Sequence, residues 1–156
     1  MEKKLKLDFE LIPDGCWYSN LRTSLKPFVW DKIRKTAYKK ADGRCMICGA
    51  KVSRLEAHEV WSYDTEKGVQ KLEKVIAVCS DCHSVIHINR TLLKGDGIRA
   101  ENHFMKVNKC SYAEYRQAMG KANELHKERS KVGEWLLDLT ELKNYGIDLK
   151  DVIYFN

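Results

Sequence analysis

Apolar residues recur close to helical spacing at Phe28, Trp30, Ile33, Ala37, Tyr38 and Ala41, which predicts a helix over residues 27–41. Pro27 suits its first position, because proline has no N–H to leave unpaired there, and Asp42-Gly43 stops the run. Ser111-Tyr-Ala-Glu114 reads as a capping box that opens a second helix running to about residue 130. Further helices are expected over 81–89 and 99–107, with a flexible Lys-Gly-Asp-Gly at 94–97 between them. The apolar run Val75-Ile-Ala-Val78 predicts a short strand leading into Cys79. Residues 134–139 are expected as a strand and 140–145 as a short helix. Residues 1–26 carry few helix signals. Pro13, Gly15 and the polar run 19–24 predict a loop there, with Trp17 and Tyr18 pinning it to the body. Residues 61–72 are polar and contain Gly68, so they too are expected as a loop. No internal repeat or low-complexity segment interrupts the chain.

Composition narrows the class. With 156 residues, 44% of them apolar and 32% charged, the chain fits one domain, or one small domain with appendages. No stretch approaches the roughly 20 apolar residues that cross a bilayer. The first ten residues alternate charge with Leu and Phe rather than forming an apolar signal region. A cytoplasmic address and no membrane partner are the expectation. The net charge of +6, with basic clusters over 32–40 and 121–131 and at Arg90, Lys94 and Arg99, leans toward a polyanionic partner. Lysine-rich helical faces are equally what solvation requires, so charge by itself decides little.

The cysteines decide more. Four of the six form two Cys-x-x-Cys pairs, Cys45/Cys48 and Cys79/Cys82. One such pair suits redox chemistry. Two pairs in one short segment suit the closed tetrathiolate shell of a structural zinc, each pair supplying two sulfurs from a tight turn. Gly49 eases the first turn. Cys16 and Cys110 stand alone and are expected as buried or half-buried thiols.

His83 follows Cys82 directly and His87 lies four residues later, a spacing that stacks two imidazoles on one face of a helix. His58 falls between the two cysteine pairs. Each histidine alone is more simply a surface or capping residue. Three of them beside a four-cysteine knuckle favour a second metal site. His103 and His126 are read as solvated or internally satisfied, and Asp64 as a loop residue.

The segment 44–87 resembles the HNH endonucleases of the ββα-metal (His-Me finger) class. The resemblance rests on the CxxC knuckle, the hairpin arm Leu55-Glu-Ala-His58-Glu59-Val60, the strand Val75-Ile-Ala-Val-Cys79, and the helix opening Cys82-His83 with His87. CWYSN (16–20), WDKIRKTAY (30–38) and WLLDL (135–139) outside it, with LEAHEVWSYD (55–64) within it, resemble a bacterial and phage subgroup of HNH-type proteins. The resemblance implies an α+β fold, a zinc-stapled ββα-metal module wrapped by N- and C-terminal helices. Its divisions would be an arm at 1–26, the module with its leading helix at 27–98, and a helical extension at 99–156 packing on the module. It implies metal-dependent hydrolysis of phosphodiester bonds, with DNA as the expected substrate and a protein partner also open. His58, His83 and His87 would hold a catalytic ion such as Mg2+, Mn2+, Ni2+ or Zn2+, alongside the structural Zn2+ on the four cysteines.

Two positions depart from the family pattern. Glu59 stands where the family carries its general-base histidine, and Lys74 stands near the family's asparagine. Glutamate has an ordinary pKa of about 4.3 and needs burial to become an effective base near neutrality. One registration makes His58 a ligand and Glu59 the base, and it aligns Leu55 and Val60 without a gap. The other makes His58 the base and Glu59 a ligand or orienting group. A catalytically silent nucleic-acid-binding module, or an adaptor or inhibitor with a second structural zinc, are the rivals to an enzyme.

Overall fold

The computed structural model describes residues 4–17 and 19–152. Tyr18, expected as an anchor, lies outside them. Residues 4–13 run without helix or strand, and Leu7, Phe9 and Leu11 are buried at every second position while Asp8 and Ile12 face out. This period of two fixes which side chains of the arm meet the body. A 3-10 turn at Asp14–Cys16 follows, then a short helix α1 (Leu21–Ser24) capped by the Asn20 side chain, which accepts from Thr23 N at 3.0 Å. The run 19–24 is therefore not the expected loop. Trp17 is 63% exposed and anchors nothing.

Helix α2 (Pro27–Ala41) begins on Pro27 and ends with Asp42 at φ 50°, as the sequence predicts. It buries Val29, Ile33 and Ala37, with Trp30, Tyr38 and Ala41 packed beside them, whereas Phe28 points outward. The buried stripe is displaced by one residue from the most apolar reading.

Strands β1 (Glu56–Asp64) and β2 (Val69–Val78) form an antiparallel hairpin, so the expected loop over 61–72 is paired strand. Its polarity belongs to the turn and to outward-facing Ser62, Asp64 and Lys71. The register shifts between Val60 and Trp61, which pair with Lys74 and Leu72, leaving Glu73 as the extra residue of a bulge. The bulge reverses which face β2 presents, so Gln70, Leu72 and Val75 are buried despite breaking simple alternation. A third short strand, β3 (Leu136–Asp138), pairs parallel to β2, inside the predicted 134–139.

After β2 come α3 (Ser80–Ile86), α4 (Ile88–Leu93), α5 (Gly97–Asn108) and α6 (Tyr112–Ser130). The single helix expected over 81–89 is broken at His87, whose φ −99° and ψ 54° are not helical. Thr91 stitches the two pieces, its Oγ1 donating to the Ser84 carbonyl at 2.6 Å. The capping box on α6 is complete in both directions. Residues Thr140–Tyr145 form a 3-10 helix at the predicted place.

The hairpin separates two cores. On one side Ile76, Val78, Val85 and Ile86 pack with the arm and with Phe104, which stacks on Phe9 at 4.9 Å. On the other, Leu72, Val75 and Ala77 pack against α2 and Leu142. Asn108, itself buried, closes the first core by receiving Lys6 N and Leu7 N at 2.9 and 3.0 Å and donating to Leu7 O at 2.7 Å. The architecture is mixed α+β around a small three-stranded sheet. Among the described residues no helix is long and apolar enough to cross a membrane.

Candidate metal centres

The knuckle is built by local backbone geometry. Gly43 and Gly49 take φ of 79° and 78°, and Gly49 N donates to Cys45 O at 2.9 Å. Met46 N donates to Ala77 O at 2.9 Å, which docks the first Cys-x-x-Cys turn on the end of β2. The second turn is the start of α3, where Cys79 caps the helix and its Sγ accepts from Cys82 N at 3.4 Å. Ile47 N similarly donates to Cys45 Sγ at 3.4 Å. Backbone donors aimed at sulfur favour thiolates.

All four sulfurs of Cys45, Cys48, Cys79 and Cys82 lie within 4.8 Å of one another, and Cys48 Sγ is 3.8 Å from Cys79 Sγ. Sulfurs about 2.3 Å from a tetrahedral zinc are about 3.8 Å apart, so the cluster has the dimensions of a tetrathiolate shell. Cys16 is buried and Cys110 half-buried, as expected. A hydrogen bond from Cys82 draws the Cys45 thiol down to about 4, while the same contact and burial push Cys82 up. Burial raises Cys79 to about 11. Four sulfurs packed this closely cannot all carry charge without a cation between them, and a divalent ion supplies it. The cluster can hold an ion such as zinc.

His103, set aside on sequence grounds, lies on α5 with Nε2 3.2 Å from Cys82 Sγ, where it can donate to the sulfur. Nothing in its spacing from the cysteines signals this, because the packing of α5 on α3 makes the contact. His126 sits by Ser130 and Asp14, its Nε2 3.5 Å from Oγ and 3.4 Å from Oδ1, as a satisfied residue.

His58, His83 and His87 form the second group. Their ligand nitrogens lie within 4.8 Å of one another, with ring centroids 4.9–5.4 Å apart. Donors about 2.1 Å from one ion are at most about 4.2 Å apart, a distance that small side-chain rotations reach. The break at His87 leaves its ring beside those of the other two rather than on a continuing helix face. His83 Nδ1 donates to Glu56 Oε1 at 2.8 Å, which leaves Nε2 as the ligand atom. Burial, reinforced by His83, His58 and Arg90, lowers His87 to about 3, and burial also lowers His83. Both are neutral near pH 7, as ligation requires.

Glu59 lines the cleft next to this group but is not part of it. Its Oε1 accepts from Leu21 N at 2.8 Å and its Oε2 from Trp61 Nε1 at 3.2 Å, so it ties α1 and Trp61 to β1. Burial raises its carboxyl, opposed by these two hydrogen bonds. Lys74, the other departure, pairs with Val60 across the hairpin. Asp64 ends β1 and accepts from Lys67 N at 2.9 Å within the turn. The cleft itself is about 300 Å3 and opens between the arm, α1 and the hairpin. Trp17, Arg22, Trp30, Trp61 and Arg90 line it around the histidines.

Two residues that sequence reading passes over complete the picture. Glu56 supports His83, and Glu10 brings Oε2 to 2.7 Å from His58 Nε2. Fold and site define a mixed α+β chain carrying one four-cysteine and one three-histidine group, each of which can hold a metal ion. No protein-family model matches the chain, and no curated protein or solved structure matches it at a significant level.

Proposed function

We propose that the chain is a metal-dependent nuclease of the HNH type, hydrolysing phosphodiester bonds with DNA as its substrate. The observation that carries this reading is the convergence of His58 from β1 with His83 from within α3 and His87 at its C-cap, on the helix that also carries Cys82 of the four-cysteine cluster. In this reading the hairpin and α3 are a zinc-stapled ββα-metal module, with helices from both termini wrapped around it. The three histidines fit a second divalent ion: their rings are largely buried and meet within ligand distance of one another, and Glu56 orients the ring of His83.

When bound, that ion would supply electrostatic stabilisation for the charged transition state and the leaving oxygen. His58, His83 and His87 hold it, and Glu56 fixes the ring of His83. Glu59 lines the same cleft, and each of its oxygens retains a lone pair beyond its present hydrogen bond. It is the candidate to take the proton of the attacking water. Arg22 and Arg90 are placed to hold flanking phosphates, and exposed Trp17 offers a face to a base.

One observation favours a second reading, a nucleic-acid-binding module without catalysis. Both Glu59 oxygens already serve a structural role, and no other histidine stands in for the missing base. An adaptor or inhibitor holding two structural zincs is the remaining form of that reading. A nicking assay on supercoiled DNA with Mg2+, Mn2+, Ni2+ and Zn2+ separates them. The nuclease nicks with at least one ion, and the His83→Ala and His87→Ala variants lose that activity while keeping the cysteine-bound zinc. If no ion supports cleavage, a salt titration of DNA binding distinguishes a salt-sensitive DNA binder from a protein adaptor.

A further inference from the structure

We infer that Glu10 is the fourth ligand of the three-histidine site, so that the N-terminal arm closes a shell of three imidazoles and one carboxylate. The inference rests on the reading that His58, His83 and His87 hold an ion. Three observations lead to it.

The first is placement. Leu7, Phe9 and Leu11 are buried in the core beneath the arm, so Glu10, between two of them, is turned to the opposite side, toward β1. Glu10 N donates to Ile86 O at 2.9 Å, one residue before His87, which fixes the arm against the element that carries the helix ligands. The Asn108 clamp on Lys6 and Leu7 holds the same arm at its other end. The carboxylate is thus located by backbone and core contacts rather than by a flexible surface loop.

The second is the contact itself. Glu10 Oε2 stands 2.7 Å from His58 Nε2. The His58 side chain is buried, yet Nε2 has no aligned hydrogen-bond partner. The oxygen is close to the nitrogen but off the direction along which the ring would donate. Glu10 is not itself within the mutual 4.8 Å of the three histidine nitrogens, so a rotation of its side chain is needed to bring the oxygen onto the same ion. Its contact with His58 differs from that of Glu56 with His83, which is an aligned hydrogen bond to the nitrogen remote from the site.

The third is charge and access. The Glu10 side chain is 38% exposed and borders the cleft, so the carboxylate can present an oxygen to the site without being taken wholly out of water. An ion held by three neutral imidazoles keeps its full double charge, and one carboxylate halves it. Imidazole with a single carboxylate suits manganese, cobalt, nickel or zinc better than magnesium, which prefers oxygen alone and keeps its waters. The class of ligand is therefore a divalent transition ion. A tetrahedral zinc would be closed by these four donors, whereas an octahedral ion would retain open positions.

The test is a cobalt titration of the full chain with zinc already on the cysteines, comparing it with E10Q, E10A, H83A and H87A. Zinc content and circular dichroism confirm that each variant is folded. The expected result is one further cobalt in the parent protein, with visible absorption free of sulfur charge transfer. E10Q and E10A are expected to bind it at least about tenfold more weakly, with a shifted visible band in E10Q. Should E10Q give the parent spectrum, at whatever affinity, Glu10 only orients His58 and the inference falls, while loss of binding in H83A and H87A would leave the three-histidine reading intact. Should the parent protein take up no further ion, or H83A and H87A bind it unchanged, the three-histidine reading falls and this inference with it.

Discussion

Both carboxylate oxygens of Glu59 accept hydrogen bonds, from the Leu21 backbone and from the Trp61 indole, so its substitutions separate structure from chemistry. Glu59→Gln keeps the side-chain shape and one of the two acceptors, its amide NH2 facing the other donor. If Glu59 is the base, this variant should retain both metals and lose about 100- to 10,000-fold in nicking rate. Glu59→Ala strands both the Leu21 N–H and the Trp61 Nε1–H, which are partly buried, and should cost about 1 kcal/mol in urea unfolding. Glu59→His restores the base of the family that the sequence resembles, and activity equal to or above that of the parent is expected. Normal nicking by Glu59→Gln together with a dead, metal-replete His58→Ala would move the base to His58. His83 and His87 were legible as a pair because i, i+4 spacing is a local property. Glu10 and Glu56 were not, since a carboxylate next to a histidine in space leaves no mark in the spacing between them.

At the scale of elements, local signals succeed where the chain satisfies its own backbone. The Ser111 hydroxyl receives Glu114 N at 3.2 Å and the Glu114 carboxylate receives Ser111 N at 2.7 Å, closing the box the sequence announces. Ser111→Ala should therefore lower stability by about 1 kcal/mol, seen as a lower urea midpoint with unchanged slope. An unchanged midpoint would mean that tertiary packing of α6, and not its cap, sets its stability. The hairpin shows the opposite case. Its β1 and β2 residues over 61–72 read as a loop because the exposed residues 64–67 and Gly68 interrupt the apolar pattern, while the strands are held by pairing between segments that spacing does not show. Likewise the helix through His87 was expected to continue, and it stops because Thr91 and the packing of α4 redirect the chain.

For the whole molecule, the four-cysteine cluster joins the α2–β1 connection to the junction of β2 and α3, and three of its sulfurs are buried in the first core. Because ligand binding by a buried tetrathiolate is coupled to folding, stripping the ion should unfold this region. Purified protein should contain about one tightly held zinc per chain on these cysteines, measured by elemental analysis in an H83A/H87A background. Replacing Cys45, Cys48, Cys79 and Cys82 together by serine should abolish the cooperative transition. A variant that lacks zinc yet unfolds cooperatively at the parent midpoint would show that the two cores suffice without the metal. Phe104, fully buried and stacked on Phe9, tests the other support: Phe104→Ala should cost about 3–5 kcal/mol and release the arm that carries Glu10.

The sequence by itself determined the features whose physics is local. These are the helix bounded by Pro27 and Asp42, the capping box at Ser111, the strand entering Cys79, the 3-10 helix at Thr140–Tyr145, and the two cysteine pairs whose turns need two intervening residues. Tertiary structure alone decided the features made by distant segments meeting. Burial of Leu7, Phe9 and Leu11 sets Glu10 against His58, the packing of α5 brings His103 to Cys82, and the clamp on Leu21 occupies Glu59. Periodicity and spacing report on neighbours along the chain, and the three histidines meet Glu10 and Glu56 only after the two cores have formed.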